Sequence, residues 1–262
     1  MCSSRVRTRL RRKQPVACTK INTHDPAVVD LIGLTGFDCV WMCCEHVPLD
    51  ADRLALLIRA ASQHQMDSLV RVARFGYSSY IHPLELGATG IMVPHCMSAA
   101  DAREVVKMTR FHPLGRRALD GGNADGRYCT VSVPEYLRHA NDNTFVVVQI
   151  EDPEAAEQVD EIAAVDGVDA LFVGPGDLAH ALGIPGQIEA PAVQKVIECV
   201  ALACEKRGRA WGLPVNAENV ERYLEMGALF CNVGADVLGL QVYYSQIRAR
   251  FSKLGFEFDR MV

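Results

Sequence analysis

The chain is short of positive charge, of long apolar runs and of paired cysteines, and each shortage narrows what it can do. Its 27 Lys and Arg stand against 32 Asp and Glu, a formal net charge of −5, which gives no electrostatic reason to expect a nucleic-acid partner. No apolar run approaches the roughly 20 residues that a membrane helix needs. The basic opening, Met1 to Lys13, is not followed by an apolar signal core. It reads as a short solvated helix before the first strand, in preference to a transit peptide or a nucleic-acid arm. Ten cysteines are present, yet no Cys-x-x-Cys pair occurs, and the adjacent Cys43 and Cys44 are poorly placed for a disulfide or a zinc site. Cys39, Cys43, Cys44 and Cys231 lie in or beside apolar strand-like runs, where a thiol acts as a small hydrophobe. Reduced thiols in a cytoplasmic enzyme are expected. No linker, low-complexity stretch or repeat divides the 262 residues. One domain over 1–262 is therefore expected, with 1–14 as a basic extension or helix.

What is present is an alternation of short apolar runs with helical patterns, the mark of parallel βα units. Candidate strands are Val16 to Ile21, Cys39 to Met42, Ser68 to Val72 and Gly90 to Pro94, a weaker run near Arg117 to Leu119, then Phe145 to Glu151, Ala170 to Val173, Ala210 to Val215 and Phe230 to Val233. That is one run more than an eight-stranded barrel holds, with Val16 or the Arg117 stretch as the surplus. Helices are expected from Asp25-Pro26 to near Gly36, Asp52 to Gln65, Ala99 to Arg110, Pro153 to Ala164, Pro191 to Arg207, Glu218 to Met226 and Val237 to Leu254. The last carries Tyr243, Tyr244 and Phe251, suited either to a subunit interface or to the barrel wall. The irregular segment from Phe111 to Tyr128 reads as a substrate loop or a plain connector. The fold class is α/β, a (β/α)₈ TIM barrel, whose active site lies at the carboxyl ends of the strands.

Polar residues at those ends form a short list: Glu45 and His46, Arg71, His95, Gln149, Glu151 and Asp177. Glu151 and Asp177 each close an apolar run, where a carboxylate is costly to desolvate without a cation or donors. Either they share one divalent metal through oxygen ligands, or each caps the helix that follows. An Arg fork, two carboxylates and a His make a coherent kit for a 2-oxo acid. The Arg holds carboxylate and keto oxygen, a metal polarises the ketone and the His moves a proton. Taken singly, His46 could cap a helix, His95 could be a satisfied core histidine and Arg71 could simply pair with Glu45.

The segment Gly36-Phe-Asp-Cys-Val-Trp-Met-Cys-Cys-Glu-His-Val-Pro resembles a motif of the HpcH/HpaI aldolase family, the metal-dependent class II pyruvate aldolases and their citrate-lyase-like relatives. The likeness continues through Leu69-Val-Arg-Val, Gly87-Ala-Thr-Gly-Ile-Met-Val-Pro, Val148-Gln-Ile-Glu, Gly167 to Leu178 and Gly227 to Gly234, in the family's order. It implies a barrel assembled as a homo-oligomer, usually a hexamer built as a trimer of dimers with the last helix swapped. It implies Glu151 and Asp177 as ligands of Mg²⁺, Mn²⁺ or another divalent ion such as Co²⁺. It implies Arg71 and Gln149 as contacts of a pyruvate enolate, His46 as the base, and the Gly176 and Asp177 N–H groups as donors to the substrate carboxylate. The enolate would arise by retro-aldol cleavage of a 4-hydroxy-2-oxo acid or by decarboxylation of oxaloacetate.

Two departures stand out. Cys43 occupies the place of the family's aspartate, and Glu85 stands near where relatives place a supporting acid from a neighbouring subunit, which would orient His46. His95 replaces an apolar residue and, with the Gly/Asn-rich loop, resembles macrophomate synthase, a branch that decarboxylates oxaloacetate and adds the enolate to an acceptor. A Schiff-base mechanism would need a strand lysine, and only Lys20 qualifies. A barrel that has lost lyase activity is the non-catalytic alternative.

Overall fold

Eight parallel strands close on themselves in the order β1 to β8 in a computed structural model that describes residues 3–259. They are β1 (Val16–Ile21), β2 (Cys39–Cys43), β3 (Asp67–Arg71), β4 (Gly90–Val93), β5 (Phe145–Ile150), β6 (Ala170–Val173), β7 (Ala210–Val215) and β8 (Phe230–Ala235). Twelve helices accompany them: α1 (Arg5–Arg11), α2 (Pro26–Leu34), α3 (Ala51–Gln63), α4 (Tyr77–Glu85), α5 (Ala99–Thr109), α6 (Val133–Asn143), α7 (Pro153–Glu157), α8 (Val159–Ala163), α9 (Pro175–Ala181), α10 (Pro191–Arg207), α11 (Val220–Glu225) and α12 (Asp236–Ser252). The chain is a (β/α)₈ barrel, as the alternation of patterns predicts. No helix among the described residues is long and apolar enough to cross a membrane.

Strand parity divides the core in two. Val16, Cys18, Cys39, Trp41, Leu69, Met92, Phe145, Val147, Ala170, Phe172 and Phe230 pack together inside the barrel. The alternate residues pack outward against the helices. Side chains alternate along a strand, so the inward series runs on to Lys20, Cys43, Arg71 and Gln149 at the carboxyl ends. Glycine at position 90 is enforced by this packing, because a Cβ there would lie 2.3 Å from the Phe145 ring.

The surplus run at Arg117 to Leu119 is loop, and Val16 begins a true strand. Arg117 is buried by an ion pair with Asp125 and by stacking on Phe111, not by a sheet. The 111–128 segment bonds to Tyr77, to Glu85 and within itself. Helices α4, α6 and α9 lie in stretches where the sequence pattern shows none. Pro83 sits inside α4, and Pro134 and Pro175 open the other two, so the proline signal conceals helices as well as marking their starts.

The basic opening is a helix but not a solvated one, and here the expectation is corrected. Val6 is fully buried and closes the floor of the barrel interior. Three of its arginines are engaged at the amino-terminal rim. Arg5 donates to the carbonyls of Phe37 and His64, Arg7 to those of Asn141 and Thr144, and Arg9 pairs with Asp38 at 2.7 Å. Asp67 accepts from the Ser4 hydroxyl and the Val6 N–H. The run satisfies orphaned backbone carbonyls at the strand-entry end. Residues 1 and 2 of the expected extension lie outside the described residues.

At the other end of the chain, α12 touches the barrel chiefly at β1 and β8. None of its residues is buried, and Leu238, Val242, Tyr243 and Tyr244 are all more than half exposed.

If α1 is the floor of the barrel, Val6→Ala should cost about 2 kcal/mol, read as a lowered urea midpoint with unchanged slope. A shift below a few tenths would return α1 to the status of a solvated appendage.

Candidate active site

Arg71 ends β3 with its guanidinium inside the barrel and only 4% exposed. A buried cation needs its N–H groups answered, and the ends of β2 and β5 supply the acceptors. Nε lies 3.0 Å from Glu45 Oε2. Nε and Nη2 point at Cys43 Sγ, at 3.4 and 3.2 Å. Nη1 donates to Gln149 Oε1 at 3.4 Å. The plane lies over the Trp41 ring, 4.9 Å from its centroid. Pairing with Glu45, the plainer reading of Arg71, is therefore real, but it is one contact of several.

Gln149 passes this order on. Its Nε2 donates to Glu151 Oε2 at 2.9 Å, while the His95 backbone N–H donates to Oε1 at 2.9 Å. Glu151 is 1% exposed, and burial pushes its carboxyl up to about 7, with Asp177 raising it further against the His95 contacts and Arg71. Both of its recorded partners lie away from the following helix, so Glu151 does not cap α7. Gly174 lets the carboxylate sit against the start of α9, since a Cβ there would fall 2.5 Å from Oε2. Gly176 and Asp177 follow in the first turn of α9 and are exposed. No backbone acceptor is recorded for either N–H, as expected of a first turn.

Two histidines converge on Glu45. His46 Nε2 is 3.5 Å from Oε2 and His95 Nε2 is 3.8 Å from Oε1. His46 is exposed, and it does not cap α3, whose N-cap is Asp50. Its backbone N–H donates to Cys43 Sγ at 3.4 Å, so the thiol holds both the His46 main chain and the Arg71 fork. His95 is half exposed and so is not a core histidine. Its Nδ1 meets Asp152 Oδ2 at 2.9 Å. Desolvation lowers its pKa, but Asp152, Glu151 and Glu45 outweigh this and raise it. Its φ of 49° is uncommon for a side-chain-bearing residue, a strain held where function concentrates.

Arg71, Gln149, Glu151, His46 and His95 thus share one rim, with Asp177 acting on Glu151 by charge. Glu85 is elsewhere within one chain. It ends α4, where desolvation raises its pKa and the nearby charges are Arg117, Asp125, His82 and Asp120; any part for it at His46 belongs to a second copy. Glu45 is the residue whose importance the sequence understated. Its position directly after β2 is visible, but its role as the common neighbour of Arg71, His46 and His95 is not.

Comparison with known proteins identifies the family. The model of the HpcH/HpaI aldolase/citrate lyase family matches residues 21–241. The chain is 34% identical to a 4-hydroxy-2-oxo-heptane-1,7-dioate aldolase of Escherichia coli, over 85% of each protein. Among solved structures it is similar to an HpcH/HpaI aldolase from Desulfitobacterium hafniense, with a TM-score of 0.90 and 30% identity over 97% of this chain and 99% of that one. It is also similar to macrophomate synthase, with a TM-score of 0.82 and 26% identity over 97% and 91%.

Glu45→Gln should destabilise the protein by about 3 kcal/mol in urea unfolding, because it strands a buried guanidinium. A loss under about 1 kcal/mol, the range of an exposed pair, would show that Cys43 and Gln149 hold Arg71 by themselves.

Proposed function

Since the chain belongs to the HpcH/HpaI aldolase/citrate lyase family, we propose that this carbon–carbon lyase forms a pyruvate enolate at the rim around Arg71, from a 4-hydroxy-2-oxo acid by retro-aldol cleavage or from oxaloacetate by decarboxylation. The observation that carries the reading is the buried chain of contacts from Arg71 through Gln149 to Glu151. It places a fixed cation and a desolvated carboxylate against the same small space.

Glu151 and Asp177 fit a hard divalent cation. Both are oxygen donors, and Glu151 is raised by burial and by Asp177, so it is short of positive charge. Among the described residues no cluster of three or more His, Cys, Asp or Glu side chains forms a ready-made metal cage. Two protein carboxylates, with water and substrate completing the shell, suit Mg²⁺, and Mn²⁺ or Co²⁺ could take the same ligands. When bound, such an ion supplies Lewis-acid polarisation of the 2-oxo group.

The chain's own residues do the rest. The free Gly176 and Asp177 N–H groups receive the substrate carboxylate, and Arg71 steadies the oxygen on which negative charge grows. In the retro-aldol direction His46 takes the proton of the 4-hydroxyl and Glu45 stabilises the resulting imidazolium. The C3–C4 bond breaks, its electron pair stays with the pyruvyl fragment, and a proton returned to C3 releases pyruvate. Cys43, in the place of the family's aspartate, holds the His46 backbone N–H and the Arg71 fork through its sulfur.

His95 supports a second reading, a macrophomate-synthase-like reaction in which the enolate is added to an acceptor. It lies between Glu45, Glu151 and Asp152 at the open side of the rim. A homo-oligomer is also proposed, hexameric as a trimer of dimers, with the uncovered apolar surface of α12 seated on a partner. The cytoplasm is the compartment that suits the free thiols.

Pyruvate should appear from oxaloacetate or from a panel of 4-hydroxy-2-oxo acids with Mg²⁺, and should fall by about a hundredfold or more with EDTA or in Glu151→Gln. Turnover that survives both changes removes Glu151 and the metal from the mechanism, and no turnover on any substrate favours a barrel that has lost its activity. Separately, His95→Ala should retain decarboxylation while losing addition to an acceptor. Equal loss of both would assign His95 to the first step.

A further inference from the structure

At the floor of the barrel, α1, α10 and α11 frame a groove of about 890 Å³, the size of a pocket that takes a drug-sized apolar ligand. Leu10 of α1, Ala201 and Leu202 of α10, and Leu224 and Met226 at the end of α11 make its walls apolar. Leu202 is 65% exposed and Leu224 39%. The α1 edge of the groove is basic. Arg11 and Lys13 line it, with Arg12 between them, and all three are exposed. Among the described residues none of the three forms an ion pair.

The other end of the chain offers a matching surface. α12 carries Val237, Leu238, Leu240, Val242, Tyr243 and Tyr244, each more than 40% exposed, and at a helical period they fall on all sides of it. A helix apolar all round requires cover on more than one side, whereas its own barrel meets it chiefly at β1 and β8. Beyond α12 the chain turns back to form an aromatic knob. The Phe256 N–H donates to the Phe251 carbonyl, and the two rings meet edge to face with centroids 5.2 Å apart. Arg248 donates to the Phe258 carbonyl at 3.4 Å. Leu254 and Phe256 are nevertheless 69% and 56% exposed. Apolar surface that is already shaped and has no cover within the chain marks a contact site. Glu257 and Asp259, interleaved with the aromatics, are exposed and opposite in charge to the Arg11–Lys13 edge.

Length links the two surfaces. α12 begins directly after β8, at the mouth, and its 17 residues span about 25 Å. The six residues of β8 span about 20 Å. Laid along the wall of a second barrel from the mouth downward, α12 brings its end to that barrel's floor. We infer that the knob formed by Leu254, Phe256 and Phe258 docks in the floor groove of a second copy of this chain, with Glu257 and Asp259 facing Arg11 and Lys13. This rests on the reading of the protein as a homo-oligomer with α12 seated on a partner, and adds to it where the partner's chain ends.

Cross-linking tests the assignment. Full-length Phe258→Cys and Leu202→Cys chains, each with the exposed Cys129 and Cys199 changed to serine, are co-expressed with tags of different size and treated with a short bis-maleimide. A product containing one chain of each kind should form, and neither protein alone should give a comparable yield of its own dimer. Absence of the mixed product overturns the docking. So does a cross-link that forms only within a single chain carrying both cysteines, since the knob would then occupy its own groove. In sedimentation equilibrium, Phe256→Asp with Phe258→Asp, and Leu202→Glu with Leu224→Glu, should each raise the dissociation constant about tenfold or more, the least that withdrawing one buried phenylalanine from an interface costs. All four positions are exposed in the single chain, and an unchanged circular dichroism spectrum checks that the fold survives. A wild type that is monomeric throughout overturns the oligomer and the docking together. An oligomer whose dissociation constant neither pair moves keeps the assembly and removes the docking alone.

Discussion

The site depends on burying one guanidinium. Arg71 stands where the barrel interior changes from apolar to polar, on the Trp41 ring and beneath the open mouth. A planar fork of donors in a dry place dictates its surroundings. Nearby strand ends must offer acceptors, and Cys43 and Glu45 at β2 and Gln149 on β5 do so. Once Gln149 has given its oxygen to Arg71, its amide N–H can only donate, and it donates to Glu151. The orientation of the buried carboxylate is thus a consequence of the buried cation two contacts away. Substrate binding would act on a network whose directions are already set, which is the physical meaning of preorganisation here.

The strands and the rim were legible because both follow from short-range regularities. Parity along Asp67, Leu69 and Arg71 puts the arginine inside, and the same count puts Gln149 inside on β5. A polar residue that ends an apolar run can be read without knowing its neighbours. What could not be read are partnerships between distant segments. Arg5, Arg7 and Arg9 look like a solvated basic face until acceptors 29 to 137 residues away are brought to the floor of the barrel. Glu45 looks like one acid among several until Arg71 and His95 arrive from other strands. Helix α4 was hidden by its own Pro83, and the Arg117 stretch imitated a strand because a buried arginine and flanking apolar residues resemble one locally.

The two ends of the barrel use arginine in opposite ways. At the floor, side chains from α1 answer carbonyls and the aspartates at strand starts. Arg110, fully buried, does the same work with Thr144, Gly167 and Asp169. At the mouth the accounting is incomplete. Glu151 is short of positive charge, Lys20 has no fixed anion, and the Gly176 and Asp177 N–H groups have no acceptor. Stability concentrates at the satisfied end and chemistry at the unsatisfied one.

Cys43 shows how one substitution changes that balance without dismantling it. A carboxylate at this position would compete with Glu45 for Arg71 and add negative charge beside His46. The thiol accepts from the same donors, at distances of 3.2 to 3.4 Å. Glu45 is the carboxylate nearest to Arg71 and His46, whereas His95 is met more closely by Asp152. An anion entering the mouth meets a more receptive surface than it would with aspartate at position 43.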